Sequence, residues 1–143
     1  MNDQSATAAA KLQASRVGSL PGLLGFEWLR LRLTDEVIEG RFGVQKHHLS
    51  PTGFLHAASV VALADSAAGF GCLNCLPEGA TGFATVELKA NFLGTCREGA
   101  VRCRTRLANG GRTTQVWDAE VSRETDGKTI VLFRCTQMLL YQT

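Results

Sequence analysis

The sequence predicts an α+β chain in which a curved antiparallel sheet wraps one long central helix. Three observations lead there. Residues 59–76 are small or apolar on nearly every side, with a single formal charge at Asp65, and a helix of that kind must be buried on nearly every side. Six other segments alternate apolar and polar residues with period two, the pattern of half-buried strands. Two glycine-containing turns, "NGGR" (109–112) and "TDGK" (125–128), join neighbouring strands as hairpins.

The elements follow in order. Residues 3–16 are rich in Ala, Gln and Lys and read as a short helix, part of an N-terminal helix or extension over 1–20. "LPGLLG" (20–25) is a Pro/Gly connection. "WLRLRL" alternates, with Leu29, Leu31 and Leu33 on one face. After a turn at "TDE", "VIEGRFGV" alternates again with Ile38, Phe42 and Val44 inward, so the two strands form a hairpin. A loop, "QKHHLSPTGFLH", leads to the helix, which begins near Leu55 and is ended by Pro77, Gly79 and Gly82. In "FATVELKANF" (83–92), Ala84, Val86, Leu88, Ala90 and Phe92 share one face; Thr85, Glu87, Lys89 and Asn91 share the other. "AVRCRTRLA" (100–108) turns Arg102, Arg104 and Arg106 outward. "TTQVWDAEVSRE" turns Trp117, Ala119 and Val121 inward, and "TIVLFRCTQMLLY" is a long last strand. Two strands, a long helix and four strands make the hotdog arrangement, read as one domain over residues 1–143.

Composition narrows the function. Hydrophobic residues make up 45% and charged residues 20% of the 143, the balance of a globular protein rather than a disordered one. A net charge of +2 gives no argument for nucleic acid. The five cysteines are odd in number and lack a framework spacing. Cys72 and Cys75 form a lone C-x-x-C without a second pair or a histidine cluster, so reduced cysteines in a cytoplasmic protein are expected and no metal. "MNDQSATAAAKLQASR" has no apolar core of a signal peptide. Residues 59–76 are long enough to span a bilayer, but Asp65, Asn74, two serines and two glycines make insertion unfavourable, so no membrane partner is expected.

Asp65 carries the functional question, because burying an unpaired carboxylate costs several kcal/mol. At 100° per residue it shares a helix face with Ala58, Val61, Ala62, Ala68, Gly69 and Cys72, most of them small. Space beside a charge suggests a cavity for a ligand; a salt bridge from a strand, or loop amides, would be the structural alternative. The first amides of the helix are unpaired and carry the positive end of its dipole, so they can polarise a carbonyl oxygen. Residue 57 and Asp65 are about 12 Å apart along the axis, too far to act on one carbonyl. An antiparallel helix from a second copy would bring Asp65 of one chain to residue 57 of the other, which points to a homodimer. His47, His48 and His56 are read as loop-ordering residues. The arginine ladder is a solvated or ion-paired face, or else an attractor of phosphates.

"HHLSPTGFLHAASVVALADSAAG", "ATVELKANFLGTCREG" and "GGRTTQVWDAEV" resemble the hotdog acyl-CoA thioesterases. The likeness is greatest to the phenylacetate-degradation group, the Arthrobacter-type 4-hydroxybenzoyl-CoA group and human thioesterase superfamily member 2. The resemblance covers roughly residues 22–141. It implies hydrolysis of an aryl- or short/medium-chain acyl-CoA to free acid and coenzyme A, with no cofactor beyond the substrate. Asp65 takes the position of the catalytic carboxylate, nucleophile or general base. Ala57 takes that of the glycine whose N–H is the oxyanion donor, beside Gly53, His56 and Ala58. Thr85 matches a partner-subunit hydroxyl that assists the attacking water, and Ser50 an amide that orients water or carbonyl. Arg112, Thr113 and Thr114 match a segment that binds the nucleotide end of coenzyme A. The resemblance further implies a homodimer with sites at its interface, assembled as a dimer of dimers (a homotetramer).

The chain departs from the pattern at three places. His56-Ala57-Ala58 stands for His-Gly-Gly, Ser50 for a longer amide, and Gly94-Thr95 for Arg-Pro. The alternatives are a non-catalytic acyl-CoA-binding hotdog protein and a hotdog hydratase or dehydratase, whose Asp/His motif is absent.

Overall fold

The computed structural model describes residue 14, residues 17–32 and residues 37–143, side chains at 31 and 32 excepted. The expected helix over 3–16 (apart from residue 14), the "TDE" turn and Leu33 lie outside the described residues. The Pro/Gly connection folds as a single helical turn, α1 (Leu20–Leu23), with Pro21 at its start. Strands β1 (Glu27–Arg32) and β2 (Val37–Gly43) follow. A 3-10 turn (Lys46–His48) leads to α2 (Ala57–Asn74), and then come β3 (Ala80–Phe92), β4 (Ala100–Gly110), β5 (Thr114–Arg123) and β6 (Thr129–Tyr141). The strands form one antiparallel sheet in the order β1-β2-β4-β5-β6-β3. That is the expected α+β hotdog architecture.

α2 lies in the hollow of this sheet. Leu63, Ala64, Ala67, Ala68 and Cys72 on the helix are fully buried, as are Phe26, Phe42, Val101, Trp117, Val121 and Cys135 on or beside the strands. The sheet approaches closely where the helix has no side chain. A methyl carbon added at Gly71 would sit 2.5 Å from the Trp117 ring, and one at Gly69 would sit 3.0 Å from Phe83. Trp117 cannot slide away, because its Nε1–H donates to Gln115 Oε1 (2.9 Å) and Gln115 Nε2–H donates to the Cys75 carbonyl (2.7 Å). The "TDGK" turn is built on Gly127, whose φ of 71° suits glycine.

Three expectations of strand parity or length change. In β1 the register slips between Trp28 and Arg30, so Trp28 faces the core opposite Gly40, while Leu29 is exposed instead of buried. In β3 the register slips between Thr85 and Glu87. A bulge adds one residue to one strand and turns the residues beyond it over. Phe83 and Thr85 therefore lie on the helix-facing side with Leu88, Ala90 and Phe92, opposite buried Leu139 and Gln137, and Ala84 lies outward opposite Met138. In β4 the strand runs on to Gly110, paired with Gln115, so the hairpin turn is Gly111–Thr113 rather than 109–112.

Replacing Gly71 by Ala gains up to about 1 kcal/mol of helix propensity. Overpacking against a pinned indole costs about 1–3 kcal/mol. The expected result is net destabilisation, read as a lower midpoint in thermal or urea unfolding; an unchanged or raised midpoint would show that Trp117 yields.

Candidate active site

The loop before α2 is tied down at each step. Leu49 and Leu55 form an isolated antiparallel bridge. Ser50 N–H donates to the Phe54 carbonyl (2.7 Å), and Gly53, at φ 84°, donates its N–H to the Ser50 carbonyl (2.9 Å). The Ser50 and Thr52 hydroxyls share a hydrogen bond of 2.7 Å, and the Arg97 guanidinium lies 4.0 Å over the Phe54 ring. His48 is buried between the rings of Phe42 and His47. Its Nδ1 accepts from Gln45 N–H (2.9 Å), so Nε2 carries the proton and donates it to the Leu24 carbonyl (2.7 Å). Burial lowers its pKa below 6.5. His48 is thus a neutral structural residue, and its carbonyl accepts from both His56 N–H and Ser59 Oγ–H (2.9 Å each).

His56 caps the helix: its Nδ1 accepts from the Ala58 N–H (2.9 Å), and its carbonyl accepts from Ser59 N–H (3.0 Å). Two of the first-turn donors are thereby used. Among the described residues nothing accepts from the N–H of Ala57, which stands at the positive end of the helix. Ser50 and Gly53 thus belong to the bonded loop that leads to the helix, and His56, Ala57 and Ala58 form a helix start with one free amide.

Asp65 lies two turns further along, half-buried, and one of its carboxylate oxygens is buried without a hydrogen-bond partner. Desolvation raises its pKa above the ordinary 3.8. Neither the strand salt bridge nor the loop amides considered from sequence meet that oxygen. The charge bears on the buried Cys135 thiol of β6, whose pKa burial pushes up to about 12.

Thr85 is on β3, helix-facing by virtue of the bulge, and its hydroxyl donates to Gln137 Oε1 (2.8 Å). The sequence reading passed over Gln137. The signal was there: in "FRCTQML" the amide interrupts an apolar face made by Phe133, Cys135 and Leu139.

Arg112, Thr113 and Thr114 occupy the β4–β5 turn and the start of β5. The Arg112 carbonyl accepts from the Tyr141 hydroxyl, and the Thr113 carbonyl accepts from Leu139 N–H (2.9 Å). This turn abuts the far end of α2, where a cavity of about 350 Å³ is lined by Asn74, Cys75, Gly110, Gly111 and Gln115. The helix has 18 residues, about 27 Å at 1.5 Å each. One chain therefore does not bring Arg112 to Ala57. On the outer face, Arg102 pairs with Glu124 (3.5 Å) and Arg104 with Glu39 (3.6 Å). The ladder is at least partly an ion-paired surface. Among the described residues no group of three or more His, Cys, Asp or Glu side chains is placed to hold a metal.

Residues 52–130 match the model of the thioesterase superfamily. The putative esterase PA1618 of Pseudomonas aeruginosa is 31% identical over 130 residues, covering 91% of this chain and 88% of that one. The 1,4-dihydroxy-2-naphthoyl-CoA hydrolase of Escherichia coli is 30% identical over 132 residues, covering 90% and 92%. A crystal structure of mutant thioesterase PA1618 superposes with a TM-score of 0.87 at 30% identity, covering 94% of each chain.

Asp65 binds its proton more tightly folded than unfolded, so its ionised form lowers stability at every pH above the unfolded value. Asp65→Asn is therefore expected to raise the melting temperature at pH 7. The gain should shrink as the pH falls through the raised folded value and be lost below the ordinary 3.8, where the carboxyl is neutral folded and unfolded. A variant less stable than wild type at pH 7 would mean that the carboxylate has a favourable partner.

Proposed function

The chain belongs to the thioesterase superfamily and is a thioester hydrolase acting on coenzyme A thioesters, and on that premise we propose that Asp65 is the general base that hydrolyses an aryl- or short/medium-chain acyl-CoA at a homodimer interface. The observation that carries this reading is a half-buried carboxylate with an unpartnered oxygen, eight residues after a helix-start amide that has no acceptor. The name of the naphthoyl-CoA hydrolase relative favours the aryl end of the range.

The steps balance without a cofactor. The thioester oxygen accepts from the Ala57 N–H, which stabilises the charge that grows there. Asp65 of the opposing copy takes one proton from water as the water oxygen bonds to the carbonyl carbon. The raised pKa strengthens the carboxylate as a proton acceptor. Collapse of the tetrahedral intermediate breaks the C–S bond, and the leaving thiolate takes the proton from Asp65. Thr85 holds the attacking water, and Ser50 lies beside the carbonyl. The nucleotide end of coenzyme A lies near Arg112, Thr113 and Thr114, at the 350 Å³ cavity.

Two features support a second copy. Arg112 and Ala57 sit at opposite ends of α2, and an antiparallel helix from a second copy would bring the one beside the other. β3 also has 13 residues bonded to β6 on one side only, and it exposes Val86 (55%), Leu88 (42%) and Phe92 (47%). An open, apolar edge of that length is a template for pairing. The dimers are proposed to associate further into tetramers, in the cytoplasm.

Wild-type protein given a panel of aryl, short and medium acyl-CoAs should release free thiol, with Asp65→Asn slower in kcat by roughly 10²-fold or more. Equal rates would remove Asp65 from the mechanism. Charged residues at the β3 edge, Val86→Glu with Leu88→Glu, should shift the light-scattering mass from dimer or tetramer to monomer and abolish turnover. An active monomer would refute the shared site.

A further inference from the structure

The helix-facing side of β6 carries a polar connection that the steps above do not explain. Phe133, Cys135, Gln137 and Leu139 face inward there, and Gln137 is 0% exposed. A buried primary amide needs partners for its oxygen and its nitrogen. Gln137 Oε1 accepts from the Thr85 hydroxyl at 2.8 Å, and Nε2–H meets Cys135 Sγ at 3.4 Å. The β3 bulge makes this possible, since without it Thr85 would face away from Gln137. Asp65 is close enough for its charge to act on Cys135, so the connection runs on the Asp65 side of the sheet.

A hydroxyl has one proton and two lone pairs. With the proton given to Gln137, Thr85 Oγ1 is left only as an acceptor. A water held between Thr85 and a carboxylate must then donate one hydrogen to each. Its own lone pairs stay free for the carbonyl carbon. A threonine free to rotate could instead donate into that lone pair and mask it.

We propose that Gln137 is a positioning residue: buried itself, it accepts the hydroxyl proton of Thr85, which is exposed in the single chain, and so makes Thr85 a pure acceptor for the attacking water. This rests on the reading above that Thr85 meets that water. Gln137 itself touches neither substrate nor water.

The test has two arms. By NMR, the Thr85 hydroxyl proton should exchange slowly in the wild type and fast in Gln137→Leu; fast exchange in the wild type overturns the proposal whether or not any thioester is hydrolysed. In turnover, Gln137→Leu should lower kcat roughly 10-fold with KM within about twofold, a loss of placement rather than of a reacting group. Gln137→Glu keeps the acceptor oxygen and should restore most of kcat. On a Thr85→Val background, Gln137→Leu should cost nothing further. An equal loss on that background, or none on the wild type, overturns the proposal. Gln137→Met takes the place of Leu if the Leu variant does not fold. Slow hydroxyl exchange in a wild type that hydrolyses no acyl-CoA would overturn the role in water placement and the functional reading together, while the hydrogen bond stood.

Discussion

The contact of α2 with the inner face of the sheet is the constraint on which the rest depends. A helix without a polar face can be stable only where neighbours cover it nearly all round, and a flat sheet covers one side. The sheet must curl, and its bulky side chains must reach the helix axis. Gly69 and Gly71 permit that approach, and Phe83 and Trp117 use it. Gly40 on β2 makes room in the same way for Trp28 of β1, since an added methyl carbon would lie 2.7 Å from the ring. Large residues on strands and small ones on the helix give interdigitation rather than a gap. The same packing leaves one oxygen of Asp65 buried and without a hydrogen-bond partner.

The start of the helix is fixed from behind. His48 is clamped by Gln45 and Leu24, and its carbonyl holds His56 and Ser59. His56 in turn caps Ala58. The outcome is selective: the neighbours of Ala57 have their donors occupied, and Ala57 does not. A histidine cap that took the first amide instead would have left the Ala58 donor free in its place. The two histidines nearest the helix therefore act through geometry, and neither needs to exchange a proton in the reaction.

Much of this was legible in the sequence, and the errors of strand parity share one physical cause. The long helix, the six strands, the core positions of Ile38, Phe42, Trp117 and Val121, and the isolation of Asp65 all follow from periodicity and polarity. Period-two reading assumes that every residue has an opposite number. One extra residue in a strand breaks that assumption, which is why Leu29 is exposed and why Phe83 and Thr85 face the helix. A bulge has no sequence signature comparable to a turn glycine. The resemblance picked out Thr85 as a hydroxyl of interest, but alternation put it on the wrong face. Gln137 escaped because its partner is distant in sequence, across 52 residues.

The substitution of Ala57-Ala58 for a glycine pair bears on chemistry more than on fold. Alanine keeps the backbone N–H and favours a helix start over glycine, and the cap to Ala58 is in place. Both alanines are exposed in the single chain, so neither methyl group is needed for packing within it. Whatever volume the methyl groups occupy is taken from the side on which a second copy and a thioester would approach. The pressure therefore falls on the atoms next to the carbonyl. On the proposed placement of the carbonyl at the Ala57 amide, an acyl group that is flat there, such as an aromatic ring conjugated with the thioester, is expected to fit beside two methyl groups more readily than a branched chain.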